Sequence, residues 1–202
     1  MDRLPPLASP LRRRLATMLT ASALCALAFP AAAQTPSALP KVRLSTSMGD
    51  IVLELYPDKA PKTVENFLQY VQDKHYDGTV FHRVMDNFMI QGGGFGTDLQ
   101  QKTTRSPIPL EASNGLKNDR GTIAMARTSN PNSATAQFFI NVVNNAALNA
   151  PSPDGYGYAV FGKVTAGMDV VDKIKLVPVG NQGMHQNVPK SPITILKATL
   201  EK

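Results

Sequence analysis

The chain has 202 residues, with 21 Lys and Arg against 15 Asp and Glu for a formal net charge of +6. Beyond residue 33 the basic side chains form no run and no aromatic-interleaved stripe, which excludes the usual footprint of a nucleic-acid binder. A single cysteine, Cys25, excludes a disulfide framework, so one hydrophobic core must hold the fold unaided.

Residues 1–33 read as a secretory signal peptide. Arg12-Arg13-Arg14 close a basic segment, Leu15 to Phe29 are apolar apart from Thr17, Thr20 and Ser22, and Pro30-Ala31-Ala32-Ala33 offers a small-residue cleavage site. The predicted cut lies between Ala33 and Gln34. About 15 apolar residues fall short of the roughly 20 that a spanning helix needs, so no stable membrane association is expected. Leu24, just before Cys25, fits a lipoprotein box poorly. Leu11, where a twin-arginine signal wants Ser or Thr, leaves the export route open. The cut removes four arginines, Asp2 and Cys25, which leaves 17 basic and 14 acidic side chains, or +3.

Residues 34–40 form a Pro/Ser/Ala linker, and one domain is expected over 41–202. Val42 and Leu44 alternate with polar residues, Met48-Gly49 turns, and Ile51 to Leu55 returns, which predicts a hairpin. Pro61 suits a first helical turn, and Val64, Phe67, Leu68 and Val71 recur at helical spacing up to about His75. Short apolar runs at Thr79–Val84, Phe88–Gln91, Thr122–Arg127, Gln137–Asn141 and Ala159–Val164 read as strands. A second amphipathic helix is predicted from Gly167 to Lys175. An alternating strand from Pro192 to Leu200 closes the chain. Many strands, two helices and no βαβ rhythm favour a mainly β structure, closed or sandwiched.

Two segments carry the chemistry. Phe81-His82-Arg83-Val84 leads to Phe88-Met89-Ile90-Gln91-Gly92-Gly93, setting a permanently charged guanidinium among apolar side chains with an amide close by. Gln137-Phe138-Phe139-Ile140 adds a second amide and more aromatic surface. A greasy pocket with a few fixed donors suits a small ligand or a peptide. Gly92-Gly93-Gly94 lacks the strand–GxGxxG–helix setting of a phosphate cradle and reads as a turn.

These segments resemble the signature of the cyclophilin peptidyl-prolyl isomerases, and the likeness runs from Lys41 to Leu200. It implies a closed eight-stranded antiparallel β-barrel capped by two α-helices, a reaction without metal or cofactor, and proline-containing polypeptides as partners. Arg83 matches the catalytic arginine. Phe88, Met89, Phe139 and Leu148 match the proline-pocket lining, while Gln91 and Gln137 match amides that position substrate and support the arginine. Ala126 and Arg127 match an edge that binds substrate through the main chain, with Arg127 replacing a commoner asparagine. His82 precedes the arginine as in the family, either as a structural residue or as a substrate contact.

Tyr158 stands where many members have a rim histidine, and the Asn149–Gly157 loop is long. Both are similar to bacterial periplasmic members and, with the signal peptide, place the expected protein in the periplasm. Ala147 occupies a position where eukaryotic members carry tryptophan, so weak or absent cyclosporin binding is expected. No heptad or long apolar edge calls for a partner, and a monomer is expected. His75, His82 and His185 are the only histidines, which leaves no activated nucleophile for a hydrolase. The rival reading is a binding module that holds proline-containing unfolded segments without speeding their isomerisation.

Overall fold

The computed structural model describes residues 38–201. The predicted signal peptide and all but the last three residues of the predicted linker lie outside the described residues. The chain opens with β1 (Lys41–Thr46) and β2 (Gly49–Leu55), paired antiparallel from Lys41↔Glu54 to Thr46↔Gly49. Their alternating side chains put Val42, Leu44, Ile51, Leu53 and Leu55 fully inside.

Helix α1 spans Pro61–Gln72 and turns Val64, Phe67, Tyr70 and Val71 inward. Ala60 gives its N-terminus no side-chain cap. A carboxylate from far along the chain does so instead: Glu111 accepts the backbone N–H groups of Lys62 at 3.1 Å and Thr63 at 2.9 Å. An anion at that end also meets the positive pole of the helix dipole. The helix stops before the predicted His75, because Lys74 takes a left-handed φ of 54°.

After α1 come β3 (Arg83–Val84), β4 (Met89–Gly92), β5 (Thr122–Met125) and β6 (Phe138–Asn141). A one-turn 3₁₀ helix, Ala146–Leu148, precedes β7 (Val160–Ala166) and α2 (Met168–Lys175). A small hairpin, β8 (Val179–Gln182) with β9 (His185–Pro189), leads to β10 (Ile195–Glu201). That hairpin was not anticipated. Its residues are mostly half-exposed or exposed and mostly polar, so no alternation marks them as strands.

Eight strands form one antiparallel sheet in the order β10-β1-β2-β7-β5-β6-β4-β3. The expected closed barrel is corrected here: the sheet is an open half-barrel with β10 and β3 at its edges. The reason lies in the chain leading into β3, predicted as a strand from Thr79 but laddered only at Arg83–Val84. The stretch 78–81 crosses the gap through one isolated bridge, Val80↔Thr194, and backbone bonds such as Phe81 N–H to Ile193 O at 2.9 Å. Pro192 has no N–H to extend that pairing into a ladder.

The main core fills the concave side of the sheet beneath α1, with Val170, Val171 and Ile174 of α2 added to it. Phe67 is its hub, with ring centroids of Tyr76, Phe138 and Phe161 at 5.0, 5.7 and 5.2 Å. Replacing Phe67 by Ala should cost about 3–5 kcal/mol, since the lost packing adds to the lost transfer energy. Chemical denaturation of the purified variant would read this as a lower midpoint with an unchanged slope.

Candidate functional site

Strands β4, β5 and β6 are apolar on both faces. Ile90, Ile123, Met125, Phe138 and Ile140 point into the main core, while Met89, Ala124 and Phe139 point the other way and, with Val160, form a second apolar cluster. Half-buried Phe88, Leu116, Leu148 and Tyr158 pack around that second cluster. Above it lies a cavity of about 400 Å³, lined by Arg83, Phe88, Met89, Gln91, Ala126, Arg127, Phe139, Leu148 and Tyr158. Nine sequence-predicted site residues are thus brought to one cavity. Two are not: Gln137 lines an adjoining polar depression, which also includes Gln91, Ala126 and Arg127, and His82 borders neither.

Arg83 sits on the edge strand β3, directly across from Gln91 of β4. Its guanidinium carbon is 6.0 Å from the centre of the Phe88 ring. Among the described residues it makes no side-chain hydrogen bond or ion pair. The two glutamines, expected to support it, bond to each other instead: Gln91 Nε2 donates to Gln137 Oε1 at 2.9 Å. Gln137 is pressed over Gly94, where any Cβ would collide with its side chain. The Gly92–Gly94 run therefore lets the backbone pass under Gln137 and the Phe138 ring. Ala126 spends its own N–H on Gln137 O at 3.0 Å, so its carbonyl is the main-chain group left for a peptide.

Buried asparagines hold the cavity wall from behind. Asn118 is fully buried and its side-chain amide donates to Leu148 O at 3.1 Å and Tyr158 O at 3.4 Å. Asn145 Nδ2 donates to Phe88 O at 2.8 Å and to Asn141 Oδ1 at 2.7 Å, and Asn141 Nδ2 donates to Asn118 Oδ1 at 3.3 Å. Three wall residues thereby hang from one network, whose amides would be costly to bury unpaired. The sequence reading missed these asparagines. Their signal was a polar side chain ending an apolar strand at Asn141, followed by Asn144 and Asn145.

His82 follows the alternation of the chain and faces away from Arg83's cavity. It is 5 % exposed and packs tilted against Phe95 at 4.6 Å, with His185 of β9 4.9 Å from that ring and 6.3 Å from His82 itself. Its Nδ1 has no hydrogen-bond partner. Burial, then the neighbouring His185 and Arg83, push its pKa from 6.5 down to about 4. His75, buried against Tyr70 with Nε2 3.2 Å from Gly93 O, is also lowered, first by burial and then by Lys102.

Residues 41–200 match the family model described as cyclophilin type peptidyl-prolyl cis-trans isomerase/CLD. Peptidyl-prolyl cis-trans isomerase cyp18 of Streptomyces antibioticus is 62 % identical over 161 residues, 79 % of this chain and 97 % of that protein. Peptidyl-prolyl cis-trans isomerase B of Escherichia coli is 56 % identical over 163 residues, 80 % of this chain and 99 % of its own. Isomerase A of Dickeya dadantii is 52 % identical over 191 residues, 95 % of this chain and 98 % of its own. Among solved structures, a Cryptosporidium parvum cyclophilin studied with the dipeptide Ala-Pro superposes with a TM-score of 0.67 at 28 % identity, covering 80 % of this chain and 99 % of that one.

The two depressed histidines make stability depend on acid. Between pH 6.5 and about 4 the unfolded chain binds a proton at residue 82 that the folded chain refuses, so stability falls as pH falls through that window. The loss assigned to His82 is of order 3 kcal/mol, and above pH 7 it vanishes. Melting curves from pH 7 to 4 should show a steep decline that His82→Phe flattens. Parallel declines in both proteins would remove His82 as the cause.

Proposed function

The chain belongs to the cyclophilin-type peptidyl-prolyl cis-trans isomerases, and from that premise we propose that Arg83 speeds X-Pro rotation by bonding the prolyl nitrogen of a twisted amide. The observation that carries this reading is a guanidinium with no protein hydrogen-bond partner among the described residues, bordering a cavity with an apolar floor. Its planar set of N–H donors is available to a ligand. Phe88, Met89, Phe139 and Leu148 offer the apolar floor for a proline ring, and Tyr158 the rim.

Isomerisation must break amide resonance, against a barrier of about 18–20 kcal/mol. No bond to the enzyme is required. At the half-rotated point the prolyl nitrogen becomes pyramidal and regains a lone pair that the planar amide lacks. A fixed donor aimed at that nitrogen therefore binds the transition state better than either planar isomer, which is the condition for catalysis. A gain of about a million-fold would require roughly 8 kcal/mol of such difference. The low-dielectric floor strengthens a charged donor there. The Gln91–Gln137 pair leaves Gln91 Oε1 and both N–H groups of Gln137 Nε2 to orient the flanking peptide.

Exported, folding polypeptides in the periplasm are the proposed clients, on the strength of the signal-like first 33 residues. A monomer is proposed because the exposed Tyr156, Leu176 and Met184 lie on separate parts of the chain, and among the described residues only Leu196 and Leu200, both on β10, share an element. Exposed Ala147 beside Leu148, in a chain with no tryptophan, supplies neither the area nor the N–H donor of an indole at the rim.

Exchange spectroscopy on an Ala-Pro peptide, using residues 34–202, tests the mechanism. Arg83→Ala should lower catalysed exchange by about 100-fold or more, with peptide affinity largely kept. Wild-type exchange that survives the substitution would overturn the arginine's role. In the same assay cyclosporin should inhibit poorly, and submicromolar inhibition would refute the rim argument.

A further inference from the structure

The side chain of Arg127 does something its expected main-chain role does not require. Arg127 follows β5 by two residues, and its side chain is only 1 % exposed despite its charge. Four hydrogen bonds hold the guanidinium. Nε and Nη2 both donate to Gly157 O, at 3.0 and 2.8 Å, Nη1 donates to Thr128 O at 2.9 Å, and Nη2 donates to Asp154 Oδ1 at 2.8 Å. Its flat face lies 4.4 Å from the centre of the Tyr158 ring. Tyr158 in turn meets Phe139, in the cavity wall, edge to face at 5.7 Å.

Asn118 anchors the first residue of the Asn149–Gly157 loop, with its backbone and side-chain N–H groups donating to Asn149 Oδ1 at 2.7 and 3.2 Å. Among the described residues, Arg127 is the side chain from outside that grips the rest. Residues 150–156 are all exposed, and the stretch is rich in Pro, Ser and Gly. Gly157 takes a φ of +73°, and a Cβ there would strike the backbone of Ala150, so the chain doubles back on itself just where Arg127 binds its carbonyl. A buried guanidinium is tolerable only when well paired, here with four bonds for its five N–H donors, and only a planar fork can bond one carbonyl twice while stacking on a ring.

We propose that Arg127 is a positioning residue: its guanidinium clamps the Asn149–Gly157 loop and thereby sets Tyr158 as the rim of the proline pocket. The clamp acts through the tyrosine and not by touching the reacting amide. It rests on the isomerase reading for its consequence in rate, but its effect on peptide binding stands apart from that reading.

The test is a double-mutant cycle of Arg127→Ala and Tyr158→Ala, with Arg127→Lys as a milder variant. Each is measured per folded molecule, below its own melting temperature, by Ala-Pro peptide exchange and by peptide titration. Arg127→Ala should raise the peptide dissociation constant and lower catalysed exchange by roughly tenfold, as small misplacements of a wall do. Added to Tyr158→Ala it should cost little more, since both changes remove one arrangement. Lysine should not restore either value, because it cannot bond Gly157 O twice or stack as the fork does. Additive losses, rescue by lysine, or a lower melting point with unchanged binding and rate would each overturn the clamp. Failure of wild-type exchange would refute the isomerase reading alone, and the titration arm would still decide the clamp.

Discussion

Burial of β4, β5 and β6 on both faces is the constraint from which the rest of the site follows. A strand sends successive side chains to opposite faces, so one four-residue segment can serve two apolar environments at once. Phe138 and Ile140 pack under α1, and Phe139 between them points out to floor the cavity. A one-residue register slip would exchange the two sets and destroy core and cavity together. The pairing Gln91↔Phe139 and Ala124↔Phe139 therefore sets the site as firmly as any contact within it.

Around that floor most of the polar groups are paired. The Asn118–Asn141–Asn145 network meets its own amides and three wall carbonyls, Gln91 meets Gln137, and Arg127 meets a carboxylate and two carbonyls. Such pairing holds the wall in place before any peptide arrives, which lowers the ordering cost of binding. Arg83 is the charged side chain left without a protein partner among the described residues at this rim. A largely satisfied frame around one unpaired charge is the arrangement that electrostatic catalysis requires.

Legibility in the sequence varied with the physics behind each feature. The first hairpin, α1, α2 and the last strand carry strong period-2 or period-3.6 patterns because each has one wet face. The β8–β9 hairpin has no such contrast and stayed invisible. Closure of the barrel was overestimated, since nothing local in Thr79–Val84 tells that backbone bonds to 193–195 replace a ladder there. In the site, Phe88, Met89, Phe139, Leu148 and Tyr158 came from likeness to known motifs. In an all-apolar run such as Phe138-Phe139-Ile140, period alone cannot say which ring floors a pocket.

What the amino-acid order determined by itself was local: element type where one face is wet, helix starts at Pro61 and Gly167, and the pairing of a lone arginine with apolar neighbours. Tertiary structure decided which groups are satisfied. Gln91 bonding Gln137 spans 46 residues, Asn118 reaching Tyr158 spans 40, and Arg127 reaching Gly157 spans 30. Hydrogen bonds act over about 3 Å and depend on direction, so partners so far apart along the chain are settled only when the sheet brings them together.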